Sequence, residues 1–336
     1  MRNLLFSLAA LLCLCPTWSL AVEYRNDFKL GYRQDEVSFA IAGTSAGTSP
    51  NVLSELQWDT ETFYLGGDFW LLWPPTAESN RHVNQHKFSR AKSTRTAALR
   101  LWGGYGFIFE GKNQDSDFLL DNRQWEFSRS NNAAENGSVW DVQAAIGMEF
   151  AHRSDNGVRF SATPILGYSY HAQNFEITDG NQTIATEGVT PPLGPFPGLK
   201  SRYETRWHGP LMGLHLLYVM EDIQGRARLS FWGDAIWHVL TQYRADGYWN
   251  LRSDFAQNPS FRHLADGQGW QLAGGFLYNT TPRSSWGLEG SYANWKADKN
   301  GVDRTFFSDG QVFDTHLNEA QWNAWMIALR YAYRFP

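Results

Sequence analysis

Few side chains in this sequence stand at spacings that do chemistry, and each has a plain structural reading beside it. Asp115 and Asp117 lie two apart in Asp115-Ser116-Asp117-Phe118. Two neighbouring acids could hold a water, yet aspartates in exposed loops also stabilise turns. Asp246-Gly247 reads as a turn dipeptide. Tyr248, two residues on, carries a hydroxyl that stays protonated at neutral pH, since its reference pKa is ~10. His82 and His86 are four apart but lack the helical context a metal pair would need. Asp298-Lys299-Asn300-Gly301-Val302-Asp303 has part of a calcium-loop pattern, lacks the distal Glu, and is expected to be a turn. No zinc signature, phosphate loop or nucleophile elbow occurs. Neither metal nor cofactor is therefore expected.

The elements that position these residues are strands. Charged residues are 19 % of the chain and mean hydropathy is −0.44, against ~25 % charge in soluble domains. Beyond the first twenty positions no apolar run reaches the ~18 residues of a spanning helix. With 16 Trp, 14 Tyr and 22 Phe, the chain is too aromatic and too weakly charged for disorder. Instead, apolar side chains recur with period two. In the last segment Trp325, Ile327, Leu329, Tyr331, Tyr333 and Phe335 share one face. Ala324, Met326, Ala328, Arg330, Ala332 and Arg334 share the other. A lipid-facing strand must look like this, because side chains alternate between bilayer and lumen.

Ten such segments occur, near 26–42, 52–73, 94–111, 138–152, 157–176, 200–221, 225–243, 266–279, 284–297 and 321–335. The expected fold is all-β, a closed ten-stranded antiparallel transmembrane barrel with an aromatic girdle that includes Tyr331 and Tyr333. Long polar loops near 112–137, 177–199, 244–265 and 298–320 fall at one end. Short turns fall at the other, with 74–93 as one long exception. Arg100, Glu110, Arg159, Asp234 and His238 are assigned to the lumen, as a mutually neutralised plug. Trp102 and Trp232 enter it too, leaving little room for solute.

Residues 1–21 read as a secretory leader: Arg2, an apolar core from Leu4 to Leu14, and Ser19-Leu20-Ala21 as the cleavage site. Residues 22–336 would form the barrel. Both cysteines, Cys13 and Cys15, fall in the leader, so the mature chain would have neither disulfide nor thiol. Removing Arg2 takes Lys and Arg from 29 to 28 against 34 acids, a net of −6, which disfavours nucleic-acid binding.

Three motifs carry a family resemblance. Leu53-Ser54-Glu55-Leu56-Gln57-Trp58-Asp59 opens the second strand, Asp115-Ser116-Asp117-Phe118 follows the third, and Arg206-Trp207-His208-Gly209-Pro210 lies in the sixth. With ten strands and this loop rhythm, the chain resembles the omptins, outer-membrane proteases of Gram-negative bacteria. The resemblance implies an outer-membrane location, periplasmic termini and a peptidase site of four rim side chains. There a carboxylate-oriented histidine takes a proton from water and two acids hold that water. Asp115 and Asp117 match the first pair and Asp246 the acid of the second. Tyr248 stands where omptins have His, and the spacing of His263 does not suggest a substitute. One of the three clustered acids is then expected to hold its proton more tightly, and Tyr248→His to restore some cleavage. Arg206 matches an omptin contact to lipopolysaccharide phosphate, a group that suits arginine, whereas Ala172 replaces another arginine of that site. The missing histidine makes the chain similar to non-proteolytic relatives, such as the Protochlamydia outer membrane protein family, described as porins. The implied function is a non-proteolytic barrel with a porin-like, scaffold or surface-binding role; an endopeptidase with an altered site is the alternative. The implied partner is outer-membrane lipid, lipopolysaccharide included.

Overall fold

The alternation expected of the last strand is borne out from Ala324 to Arg330. Trp325, Ile327 and Leu329 are exposed on the outer face, while Ala324, Met326, Ala328 and Arg330 are buried inside. The structure is a computed structural model that describes residues 22–73, 92–154, 158–221, 227–281 and 283–333. The leader, the 74–91 stretch with His82 and His86, and Arg334 to Pro336 lie outside the described residues.

Thirteen strands form one sheet: β1 Glu23–Ile41, β2 Ser54–Trp73, β3 Lys92–Leu120, β4 Gln124–Ala133, β5 Ser138–Arg153, β6 Val158–Ile184, β7 Gly194–Pro195, β8 Lys200–Glu221, β9 Ala227–Tyr248, β10 Phe261–Asn279, β11 Ser284–Phe306, β12 Val312–Thr315 and β13 Leu317–Tyr333. Ten of them make the wall, in the order β1-β2-β3-β5-β6-β8-β9-β10-β11-β13. The ring closes where β1 pairs antiparallel with β13, from Asn26 opposite Tyr333 to Ile41 opposite Leu317. Closure leaves no edge for lipid to strand, which is why a sheet can cross a bilayer at all. The remaining strands β4, β7 and β12 lie in the tall hairpins at the end away from the termini, called here the hairpin end.

An exposed apolar belt circles the wall, with Leu65, Leu101, Ile146, Leu166, Leu214, Leu272, Leu288 and Ile327 among its members. Aromatic rings border it. Tyr32 lies 5.4 Å from Trp325 on the side of the hairpin end, and Trp286 lies 4.7 Å from Tyr331 on the side of the termini.

The strands outrun their sequence-derived limits at the hairpin end. β3 continues to Leu120 rather than 111, β6 to Ile184 rather than 176, β9 to Tyr248 rather than 243 and β11 to Phe306 rather than 297. Above the lipid the outer face has no need to be apolar, so hydrophobic alternation fades while the hydrogen-bonded ladder goes on. Asp115, Asp117, Asp246 and Asp303 are therefore strand residues, not loop or turn residues. Glu110 also differs from expectation. A register shift between Glu61 and Thr62 inserts an extra residue in β3, which flips the following parity. Glu110 is exposed on the outer face.

Inside, ion pairs and rings fill the lumen. Near the termini Glu149 holds Arg25 at 3.1 Å and Arg159 at 2.7 Å. At mid-height Arg100 forks to both Asp68 and Asp234 at 2.8 Å, and stacks 4.4 Å from Trp102. His215 Nδ1 lies 2.8 Å from the same Asp234. Further up, Arg33 bridges Asp35 at 2.6 Å and Asp141 at 2.7 Å, and His171 completes the group. Above these lies a tryptophan layer. Trp295 and Trp322 stack 5.5 Å apart at 12°, and Trp207 packs against both. His238 adds its ring 4.1 Å from Trp295 and accepts or donates at Ser169 Oγ, 2.9 Å away. Gly269 makes room for this layer, because a Cβ there would meet the Trp295 ring at 2.4 Å.

Candidate functional site

The inward rows of the hairpin end form the candidate site, and cross-strand pairing settles which residues share a face. Phe39 pairs with Leu56, Leu56 with Asp115 and Asp115 with Ser130. Phe39 and Leu56 are buried in the interior cluster, so Asp115 faces inward, and Asp117, two residues along the same strand, shares that face. Asp115 Oδ1 is buried without a hydrogen-bond partner. Burial, with Asp117 beside it, pushes the Asp115 carboxyl well above the usual carboxylate range, against the opposing charge of Arg252. Burial also raises Asp117, partly offset by hydrogen bonds from Ser54 and Ser128. Arg252 belongs to the segment joining β9 to β10. It is anchored to Asp254 at 2.7 Å and lies 3.9 Å from the centre of the Phe255 ring.

Beneath the acid pair is an aromatic floor. Trp58 stacks on Tyr203 at 4.9 Å and on Phe175 at 5.6 Å. Phe39 packs 4.4 Å from the ring of His263. His263 is fully buried; its Nδ1 lies 2.9 Å from Tyr203 Oη and its Nε2 lies 3.2 Å from Asp303 Oδ1. Tyr203 Oη in turn meets Tyr243 Oη at 2.5 Å, and Thr315 donates to Asp303 at 2.7 Å. A carboxylate beside a histidine is the make-up of an acid–base dyad, but this one is enclosed by rings. Its imidazole packs against Phe39, Tyr203 and Phe261.

Asp246 and Tyr248 are on the other side of the wall. Asp246 pairs with Glu204 and Arg262, whereas its neighbour Ala245 pairs with the buried His263. The Asp246 carboxylate accepts from Arg262 at 2.6 Å, Arg206 at 2.9 Å and Arg244 at 3.1 Å. Burial alone would raise this carboxyl, but the bonds from Arg262 and Arg206 and the charge of Arg244 outweigh it and hold it below the usual range. Tyr248 packs its ring 4.2 Å from the Arg202 guanidinium on the same outer face. The structure thus brings Asp115 and Asp117 together and sets Asp246 and Tyr248 apart from them. The raised carboxyl expected of the cluster is found at Asp115, with Asp117 as its neighbour and without Asp246.

Sequence reasoning passed over the Asp303–His263–Tyr203–Tyr243 group. The signal available was parity. With β11 continued past Ala297, Asp303 falls on the inward face opposite His263. Among the described residues, no group of three or more His, Cys, Asp or Glu could hold a metal ion.

The family model described as Protochlamydia outer membrane protein matches residues 85–335. The outer membrane protease OmpT from Escherichia coli aligns over 96 % of this chain and 99 % of its own, with a TM-score of 0.65 and 13 % identity. The outer membrane protein OprG from Pseudomonas aeruginosa aligns over 93 % and 97 %, with a TM-score of 0.30 and 10 % identity. The translocator domain of the autotransporter NalP from Neisseria meningitidis aligns over 99 % and 94 %, with 0.29 and 11 %. No curated protein matches the chain by sequence. The likeness to OmpT is one of fold.

Proposed function

The chain belongs to the Protochlamydia outer membrane protein family, and from that premise we propose that it is a sealed, non-proteolytic barrel that works by binding at its hairpin end. The observation that carries this reading is the layer of Trp207, Trp295 and Trp322, each almost wholly buried, across a lumen already filled by ion pairs. A porin-like role would need an open path, and ten strands leave little lumen once such side chains enter.

In the proposed orientation the tall hairpins face outside and the termini face the periplasm of a Gram-negative cell. Long connections gathered at one end of the barrel support this, as does the leader-like stretch 1–21. Arg206 remains a proposed contact for lipopolysaccharide phosphate. It stands with Arg202, Arg244 and Arg262 on one outward face, where Glu204 and Asp246 balance only two of the four charges. Guanidinium forks suit phosphate geometry.

The second reading, an endopeptidase with an altered site, draws on the inward Asp115–Asp117 pair. Two measurements separate the readings. Refolded protein in a planar bilayer is expected to show no stepwise conductance, and with lipopolysaccharide present it is expected to leave a dibasic fluorogenic peptide intact. Cleavage that disappears in Asp115→Ala would restore the peptidase, and steady single-channel steps would restore the porin.

A further inference from the structure

On the outer wall, just beyond the aromatic ring of Tyr32 and Trp325, the sheet carries a cavity of about 700 Å³. Its chemistry differs from the wall that carries Arg206. Two rungs of outward side chains cross adjacent strands. Lys112, Asp59, Glu36 and Asn323 form one, and Asn131, Gln114, Gln57, Ser38 and Gln321 form the other. On the β8–β10 side, four outward arginines converge on two acids. Here amides dominate, and only three of the nine side chains are charged.

Several of these groups are unspent. Among the described residues the side chains of Glu36, Gln57, Lys112 and Asn131 have no hydrogen-bond or ion-pair partner. The lower edge, by contrast, is fixed. Trp325 Nε1 donates to Gln34 at 3.0 Å, and Gln34 donates to Asp59 at 2.8 Å. Neighbouring strands stand ~4.8 Å apart, so the free amides and acids form a rigid, evenly spaced lattice of donors and acceptors. Exposed rings border it, and their faces can cover the C–H face of a sugar ring while amides and carboxylates bind its hydroxyls. Phosphate is disfavoured, because Glu36 and Asp59 outnumber Lys112.

We infer that this face of β13, β1, β2, β3 and β4 binds a polyhydroxylated saccharide. The ligand is the sugar portion of an outer-leaflet glycolipid or a free oligosaccharide of the same chemistry. The first source rests on the orientation proposed above; binding of the second does not.

The test uses the full barrel refolded in detergent micelles and titrated calorimetrically with three probes. These are maltoheptaose, the core oligosaccharide freed from lipopolysaccharide by mild acid, and intact lipopolysaccharide. Binding of at least one is expected, and Gln57→Ala with Gln114→Ala should weaken it at least tenfold. Both side chains point outward, and unchanged heat-modifiability on electrophoresis verifies that the variant is folded. Binding of a free saccharide lost in the variant supports the site and assigns a soluble source. Binding of intact lipopolysaccharide alone, lost in the variant, supports it and assigns the membrane source. No saccharide-dependent heat with any probe would overturn the inference. So would binding that the double variant leaves unchanged, and lipopolysaccharide binding lost only in Arg206→Ala would belong to the phosphate contact instead.

Discussion

Arg262 Nε donates to Asp246 Oδ1 at 2.6 Å, and this bond fixes the Asp246 carboxylate on the outer face while the adjacent His263 is buried inside. The bond is one of several from three arginines, so the carboxylate is a structural tie across β8, β9 and β10. Asp246→Asn should cost about 2 kcal/mol, the scale of hydrogen bonds to a charged group, read as a shift in the guanidinium midpoint of tryptophan emission. Because the native carboxyl is held below its ordinary value, its contribution is fully present above the unfolded pKa of ~4 and is lost as pH falls through the native value. The gap between wild type and variant should therefore close below pH ~4. A gap that widens on acidification would contradict the assignment.

Asp115 carries the opposite sign. Its carboxyl is raised by burial beside Asp117, so the folded state holds a proton that the unfolded chain releases. Stability is lost as pH rises from the unfolded value of ~4 through the native one. Asp115→Asn removes that loss. The variant should be more stable than wild type at pH 8 and converge with it near pH 4. Equal midpoints at both pH values would mean that Asp115 is solvated.

These two residues mark what was legible in the sequence. Strand number, closure and facing were readable wherever lipid imposed alternation, as at Leu329 and Ala328. Past the lipid that constraint ends, so Asp115 and Asp246 were expected in loops although both lie in strands. Opposite facing of Asp115 and Asp246 was unreadable for a related reason. It depends on bulges, such as those at Glu61/Thr62 and Gly267/Gly269, each of which changes which side a later residue takes. Lumen partners of Arg100 were hidden because Asp68 sits diagonally on the neighbouring strand β2 and Asp234 comes from β9 across the barrel. The Asp303–His263 contact was hidden because 298–303 was expected to be a turn.

The tryptophan layer should act as the seal. Trp295→Ala with Trp322→Ala removes two stacked indoles from a packed interior, and each large-to-small change in a core costs about 3–5 kcal/mol. If the double variant still folds, as electrophoretic heat-modifiability would report, planar bilayers should show small conductance steps that wild type lacks. A folded variant that stays silent would place the seal in the ion-paired layers below, around Arg33 and Arg100.

Depth in the bilayer gives a separate check on the wall. Leu329 is exposed between the two aromatic borders, and Tyr331 lies at the border itself, against Trp286. Arginine near the midplane costs about 2–4 kcal/mol and near the interface about 0–1. Leu329→Arg should thus lower folding stability in lipid vesicles well beyond Tyr331→Arg. Equal costs would mean that the hydrocarbon belt is misplaced along β13.

Supplying the histidine that the omptin pattern has and this chain lacks should not supply catalysis. A base works only within hydrogen-bond reach of the proton it removes, and groups that act as a unit give almost nothing singly. Tyr248 lies on the outer face with its ring on Arg202, while Asp115 and Asp117 face inward across the sheet. An imidazole at position 248 would meet Arg202 and the arginines around Asp246, not the inward acid pair. Tyr248→His is therefore expected to leave a dibasic fluorogenic peptide uncut in the presence of lipopolysaccharide, at every pH from 5 to 8. Cleavage gained by Tyr248→His and lost again on adding Asp115→Ala would show that the two faces do meet in solution. The rim would then have to rearrange so that the two faces meet.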